Sequence, residues 1–148
     1  MRKANYPQSP PRYHDLMNEI PVGTTGEQPL LVTPEWAIDF LGGDEARVLS
    51  TPHLILWLEV TARNAVKPYL AEGYESVGTE VNIRHLAPTP IGMTVRVVAR
   101  VTAVEGSRVR FDLVARDEKE IVAQGTHERH IVYVPRFAAK LAAKRTSS

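Results

Sequence analysis

The sequence predicts an α+β domain in which a curled antiparallel sheet wraps around one long, mostly apolar helix. Three observations predict it. A helix start at Ser50-Thr51-Pro52 is followed by residues whose apolar positions surround most of a helical circumference. From Tyr74 onward the pattern changes to a period of two, in successive runs rich in β-branched residues. The chain has 148 residues, 43% of them hydrophobic, which is the size of one domain with a single core.

Each element has its own signals. Residues 1–29 carry Pro7, Pro10, Pro11, Pro21 and Pro29 among polar residues, a composition that favours an irregular arm. The domain proper is expected over 30–138, opening with a short strand at Leu30-Leu31-Val32. Thr33 as N-cap and Pro34 at the first helical position predict a helix that Gly42-Gly43 stops early. The long helix runs from Thr51 to about Leu70, where Pro68 and then Gly73 disturb and end it. In the strand after Tyr74, Val77, Thr79, Val81, Ile83 and His85 share one face, with His85 closing the inward row; Gly78, Glu80, Asn82, Arg84 and Leu86 share the other. Pro88-Thr89-Pro90-Ile91-Gly92 interrupts, a strand resumes over residues 94–104, and Glu105-Gly106 forms a hairpin turn. Residues 108–116 return, Asp117-Glu118-Lys119 turns, and residues 120–134 make a final strand with Gly125 as a bulge or a point of close approach. The basic tail 139–148 is expected to fray. A helix of this kind followed by long antiparallel strands satisfies both when the sheet curls around it, which is the hotdog arrangement. By fold analogy its open sheet edges pair with a second copy, so a homodimer is expected.

Composition removes several classes of function. A net charge of +1, from 18 basic and 17 acidic residues, offers no general field for nucleic acid or a membrane surface. No apolar run approaches the roughly 18 residues of a membrane span, and the first residues lack the apolar core of a signal peptide, so a cytoplasmic protein is expected. Without cysteine there is no disulfide, thiolate nucleophile or cysteine zinc site. The five histidines show no His-Glu-x-x-His spacing, so neither metal nor cofactor is expected.

Glu59 is the leading candidate for chemistry, because it interrupts the apolar stretch Leu54-Ile55-Leu56-Trp57-Leu58-Glu59-Val60. A carboxylate enclosed by apolar side chains has a raised pKa, which suits activation of water near neutral pH. The plainer alternative is a polar stripe, or pairing with Arg63 one turn on. His85, beside the Pro-Thr-Pro turn where a cleft can open, is the second candidate, and the two are expected to face one cleft. His127 and His130 face opposite sides of their strand and are read as structural. Arg129 pairs with Glu128 or Glu80 across strands, or approaches the site.

Four segments together resemble the fluoroacetyl-CoA thioesterase-like family of hotdog proteins. They are the helix from Glu59 to Lys67-Pro68-Tyr69-Leu70, then Val77-Gly78-Thr79, then His85-Leu86-Ala87-Pro88-Thr89-Pro90-Ile91-Gly92, and last Gly125-Thr126-His127-Glu128-Arg129. The resemblance covers roughly residues 50–140 and is specific as a set, in order and separation. It implies an acyl-CoA thioesterase acting on a small-to-medium acyl group, with Thr51, Glu59 and His85 as catalytic residues. It also implies substrate contacts from Gly78 and Arg129; Thr79, Trp57 and Phe40 are further candidate contacts, and the site is expected at the interface of the homodimer. A hotdog hydratase or dehydratase, or a non-catalytic acyl-CoA-binding module, would be the alternatives. The segment 36–47 is shorter than in the fluoroacetyl-specific enzyme and lacks its aromatic lid, so another acyl group is expected, with Trp36, Phe40, Leu54 and Trp57 around a larger or aromatic acyl chain. Were residues 51–59 all helical, Thr51 and Glu59 would stand about 12 Å apart. A joint role then requires either that Thr51 precede the helix or that the two come from different protomers.

Overall fold

The computed structural model describes residues 19–146. Five strands, β1 (Thr25–Leu31), β2 (Tyr74–His85), β3 (Thr94–Glu105), β4 (Arg108–Arg116) and β5 (Ile121–Tyr133), form one antiparallel sheet in the order β1-β3-β4-β5-β2. Inward residues alternate along β3 and β4, where Val95, Val97, Ala99, Val101, Val109, Phe111, Leu113 and Ala115 are buried. Against this face lies helix α1 (Thr51–Val66), which presents Leu54, Leu58, Thr61, Ala62 and Val66 as a buried stripe. This is the expected α+β hotdog arrangement, a curled sheet on a long helix. The helix is less enclosed than its composition suggests. One sheet covers one face, so Leu56 on the far side stays 45% exposed.

The boundaries differ from the expectation in four places, each with a local cause. β1 begins at Thr25, inside the segment read as an irregular arm, because Thr25 to Leu31 pair residue by residue with Arg100 to Thr94 of β3. Pro29 is tolerated there since β1 is an edge strand. Residues 1–18 of that arm lie outside the described residues. The helix expected after Thr33 is a single 3-10 turn, Pro34–Trp36, and the Thr33 side chain caps nothing. α1 ends at Val66 and a 3-10 turn, Lys67–Tyr69, follows where Pro68 cannot donate an N–H. The tail is helical: α2 (Val134–Thr146) follows β5 directly with no buried residue, carried by its alanines, lysines and leucine.

One irregularity matters for function. β2 pairs Gly78 with Arg129 and then Glu80 with Glu128, so Thr79 is an extra residue, a β-bulge. Strict alternation would put Gly78 and His85 on opposite faces, as the sequence pattern suggested. The bulge returns them to the same one, because Arg129 and His127, two apart on β5, oppose Gly78 and Val81. The expected close approach at Gly125 is present. A Cβ there would stand 1.9 Å from the Asn82 carbonyl oxygen across the β2–β5 ladder.

Candidate active site

Two clusters emerge, one at each end of the contact between α1 and β2. The first surrounds Glu59. Its carboxylate lies over Gly78, where an added Cβ would come within 2.5 Å of Oε1, so a side chain at 78 would displace it. Arg129 Nη1 donates to the same oxygen at 3.3 Å. Arg129 is 4% exposed, and its other donors are used: Nε bonds Ser76 Oγ at 2.8 Å and Nη2 bonds the Ser76 carbonyl at 2.7 Å. Nη1 also lies 3.2 Å from His127 Nε2. His127 Nδ1 stands 2.7 Å from the Glu80 carbonyl, which can only accept, so Nδ1 carries the proton and Nε2 receives the Arg129 N–H. Burial pushes the His127 pKa below the usual histidine value; the Glu80 carbonyl opposes this and Arg129 reinforces it. The imidazole is therefore neutral. Burial also lowers the Arg129 pKa, with Glu59 acting against it.

This geometry corrects the reading of Glu59. Its side chain is 39% exposed and ion-paired with Arg129, and is not enclosed by apolar groups. The apolar residues around it in sequence point elsewhere on the helix, and Arg63 pairs with Glu75 instead. Oε1 is tethered, and no hydrogen bond to Oε2 occurs among the described residues. Arg129 bonds neither Glu128 nor Glu80. His127, read as structural, belongs to the cluster, as does Ser76. The signal was available, since His127 and Arg129 are two apart on a strand and share a face.

The second cluster is smaller. Thr51 Oγ1 lies 2.8 Å from His85 Nδ1. Ser50 caps α1 by accepting from the His53 N–H at 3.3 Å, which makes Thr51 the first helical residue. Burial lowers the His85 pKa, partly offset by the Ala87 carbonyl, so its ring is neutral near pH 7. Its Nε2 is shielded from solvent and has no well-aligned hydrogen bond.

The two clusters do not meet within one chain. Thr51 and Glu59 belong to one regular helix, about 12 Å apart. Gly78 and His85 are seven residues apart on β2, roughly 23 Å for an extended strand. The expectation that Glu59 and His85 share a cleft is therefore not met inside the protomer. The imidazole joined to Glu59, through Arg129, is that of His127.

Three further residues expected to touch substrate lie away from Glu59. Thr79, the bulge residue, bonds Glu128 through its hydroxyl and faces away from Glu59. Trp57 is two residues from Glu59, about 200° around the helix, and packs edge-on against Trp36 with ring centroids 5.4 Å apart. Phe40 is 76% exposed and outside the packed cluster, while Leu54 is wholly in the core. Trp36 and Trp57 pack against the core cluster that holds Leu54, and Phe40 stands outside it. Among the described residues no group of three or more histidine, aspartate or glutamate side chains is arranged to hold a metal ion, and no helix is long and apolar enough to cross a membrane.

Comparison with known proteins agrees with this architecture. The family model described as fluoroacetyl-CoA-specific thioesterase matches residues 32–134. The fluoroacetyl-CoA thioesterase of Streptantibioticus cattleyicolor is 36% identical over 97 residues, covering 66% of this chain and 70% of that protein. Among solved structures, a thioesterase superfamily member from Thermus thermophilus superposes with a TM-score of 0.80 at 33% identity, covering 87% of this chain and 96% of that one. A variant of the fluoroacetyl-CoA-specific thioesterase in complex with fluoroacetate and CoA superposes with a TM-score of 0.72 at 30% identity, covering 80% and 99%. With the match spanning both clusters, the chain belongs to the fluoroacetyl-CoA-specific thioesterase family and is a thioester hydrolase.

Proposed function

We propose that this protein hydrolyses a small-to-medium acyl-CoA thioester at a site completed by a second copy of the chain, with Glu59 of one protomer facing Thr51 and His85 of its partner. The observation that carries the reading is the Glu59 carboxylate, seated on Gly78 and held by Arg129 with Oε2 open. Relatives of similar fold bind acetyl-CoA, or fluoroacetate and CoA, which supports an acyl-CoA substrate. β2 ends the sheet, so its outer edge is unpaired among the described strands. The apolar side chain of Val81, on that strand, is exposed. A two-fold axis between Val81 and Asn82 would pair that edge with its copy and set Gly78 of each chain opposite the partner's His85. Of the two routes to a joint role, this is the one compatible with Thr51 being helical.

In this site Glu59 Oε2 takes a proton from water as the water oxygen attacks the thioester carbon. The C–S bond then breaks and the CoA thiolate leaves, a weak base that needs little help. The neutral His85 ring, hydrogen-bonded to Thr51, exchanges protons at the other side of the reacting carbon. Gly78 lets the thioester approach the strand backbone without a side chain in the way. Direct attack by Oε2, giving a transient anhydride, uses the same groups; incorporation of labelled water oxygen into Glu59 in a single turnover separates the two routes.

Mixing two inactive variants tests the composite site. Glu59→Gln and His85→Gln chains, unfolded and refolded together, should recover about a quarter of wild-type thiol release, because half the dimers are mixed and each has one intact site of two. Recovery of nothing, from variants that do pair, would place both groups in one protomer. A panel of short, branched, aromatic and long acyl-CoAs reads the acyl preference in the same assay.

A further inference from the structure

Thr51 and His85 lie on different segments, yet one small ribbon outside the main sheet leads into Thr51 and is joined by the chain just past His85, the last residue of β2. Trp36 accepts from the Ser50 N–H at 2.8 Å, and the Ile38 N–H donates to Val48 at 2.9 Å. The Leu49 N–H donates to the Thr89 carbonyl at 2.8 Å, and Val48 bridges to Pro90. Three stretches, 36–38, 48–50 and 89–91, thus run side by side. The middle one leads straight into Thr51, and the third begins four residues after His85. Each outer stretch has a clamp. Arg47 Nη2 donates to the Pro34 carbonyl at 2.7 Å and Nε to the Ile38 carbonyl at 3.1 Å. Thr89, 0% exposed, donates Oγ1–H to Asp117 Oδ2 at 2.9 Å. Asp117 is itself fixed in the β4–β5 turn by the N–H groups of Lys119 and Glu120 at 2.8 and 2.9 Å.

We propose that Arg47 and Thr89, neither of which hydrogen-bonds Thr51 or His85, are positioning residues that clamp this ribbon and so set the hydroxyl–imidazole contact. The consequence for turnover rests on the thioesterase reading above; the consequence for the contact does not. A 1 Å error in placing reacting groups can lower a rate about a hundredfold, so loosening a clamp should be felt in kcat.

The test is a coupling measurement. Thr89→Val, nearly isosteric, and Arg47→Met, a partly exposed position, should each lower kcat about tenfold with KM within about twofold, while in a Thr51→Ala background the same changes should cost less than about twofold. Arg47→Lys, keeping one donor, should restore part of the loss. Equal losses in both backgrounds, or no loss, would overturn the proposal. The His85 ring signals in a proton–carbon NMR spectrum, assigned with His85→Gln, read the same contact without turnover. Thr89→Val and Arg47→Met should move them toward their position in Thr51→Ala, and unmoved signals overturn the proposal whatever the assay gives. A wild-type chain that releases no thiol from any acyl-CoA refutes the thioesterase reading, and the NMR comparison then decides on the ribbon alone.

Discussion

The two ends of the α1–β2 contact are built to different standards. Around Glu59, a buried guanidinium spends its donors on Ser76, His127 and Glu59, and the imidazole behind it is tied to a backbone carbonyl. Around His85, a single side-chain hydrogen bond joins an exposed threonine to a half-buried ring. The first end arrives preorganised, its carboxylate aimed by a network that each single chain completes. The second depends on a light backbone ribbon. The two ends thus hold their groups differently: Glu59, on α1, is tethered by Arg129 from within the sheet, whereas Thr51 and His85 meet through one side-chain hydrogen bond beside the ribbon.

Substitution at Glu59 should cost the most. Glu59→Gln keeps the shape and removes the base, so thiol release should fall about 10³-fold, with a lowered melting temperature because the buried Arg129 loses its counter-charge; near wild-type turnover would remove Glu59 from the mechanism. Next comes Gly78→Ala, whose Cβ would meet Glu59 Oε1 at 2.5 Å. A carboxylate tip can swing aside, so the loss should appear in kcat, about a hundredfold, and hardly in stability. Comparable losses of both would mean that the strand, not the carboxylate, gave way. At the lighter end, Thr51→Ala should cost about tenfold in kcat, and Thr51→Ser, which keeps the hydroxyl, should cost less; a serine variant as impaired as the alanine one would show that the hydroxyl is not what matters.

A weaker effect is expected from pH. Both His85 and His127 have pKa values lowered by burial. Between those values and the ~6.5 of an unfolded histidine, the unfolded chain binds more protons, so stability rises with pH through that window and is lost as the pH falls below about 6.5. Melting temperatures at successive pH values should show the decline, and His127→Gln should remove a larger share of it than His85→Gln, because its ring is the more buried. The reverse order would place the tighter environment at the wrong end.

Much of this was legible in the sequence where the signal is local. The long helix, the two hairpin turns, the strand order along the chain and the close approach at Gly125 all follow from periodicity and from residues with restricted backbones. Thr51, Glu59 and His85 fall on the elements expected of them. What was not legible depends on tertiary pairing. Thr25 to Pro29 form a strand because β3 offers an edge, which their own composition does not announce. The tail, expected to fray, is helical because its alanine-rich composition outweighs its charge. Glu59 looked enclosed because its neighbours in sequence are apolar, but a helix sends those neighbours to other sides, and the buried partner that decides its setting, Arg129, is 70 residues away.

The extra residue at Thr79 has a consequence for how such a chain can change. Because it resets the parity of β2, deleting that one threonine would leave every proposed catalytic side chain in the sequence and yet turn half the strand over, sending Gly78 or His85 to the solvent side. Substitution can tune this enzyme by degrees, whereas a single-codon loss at that point would divide it in one step.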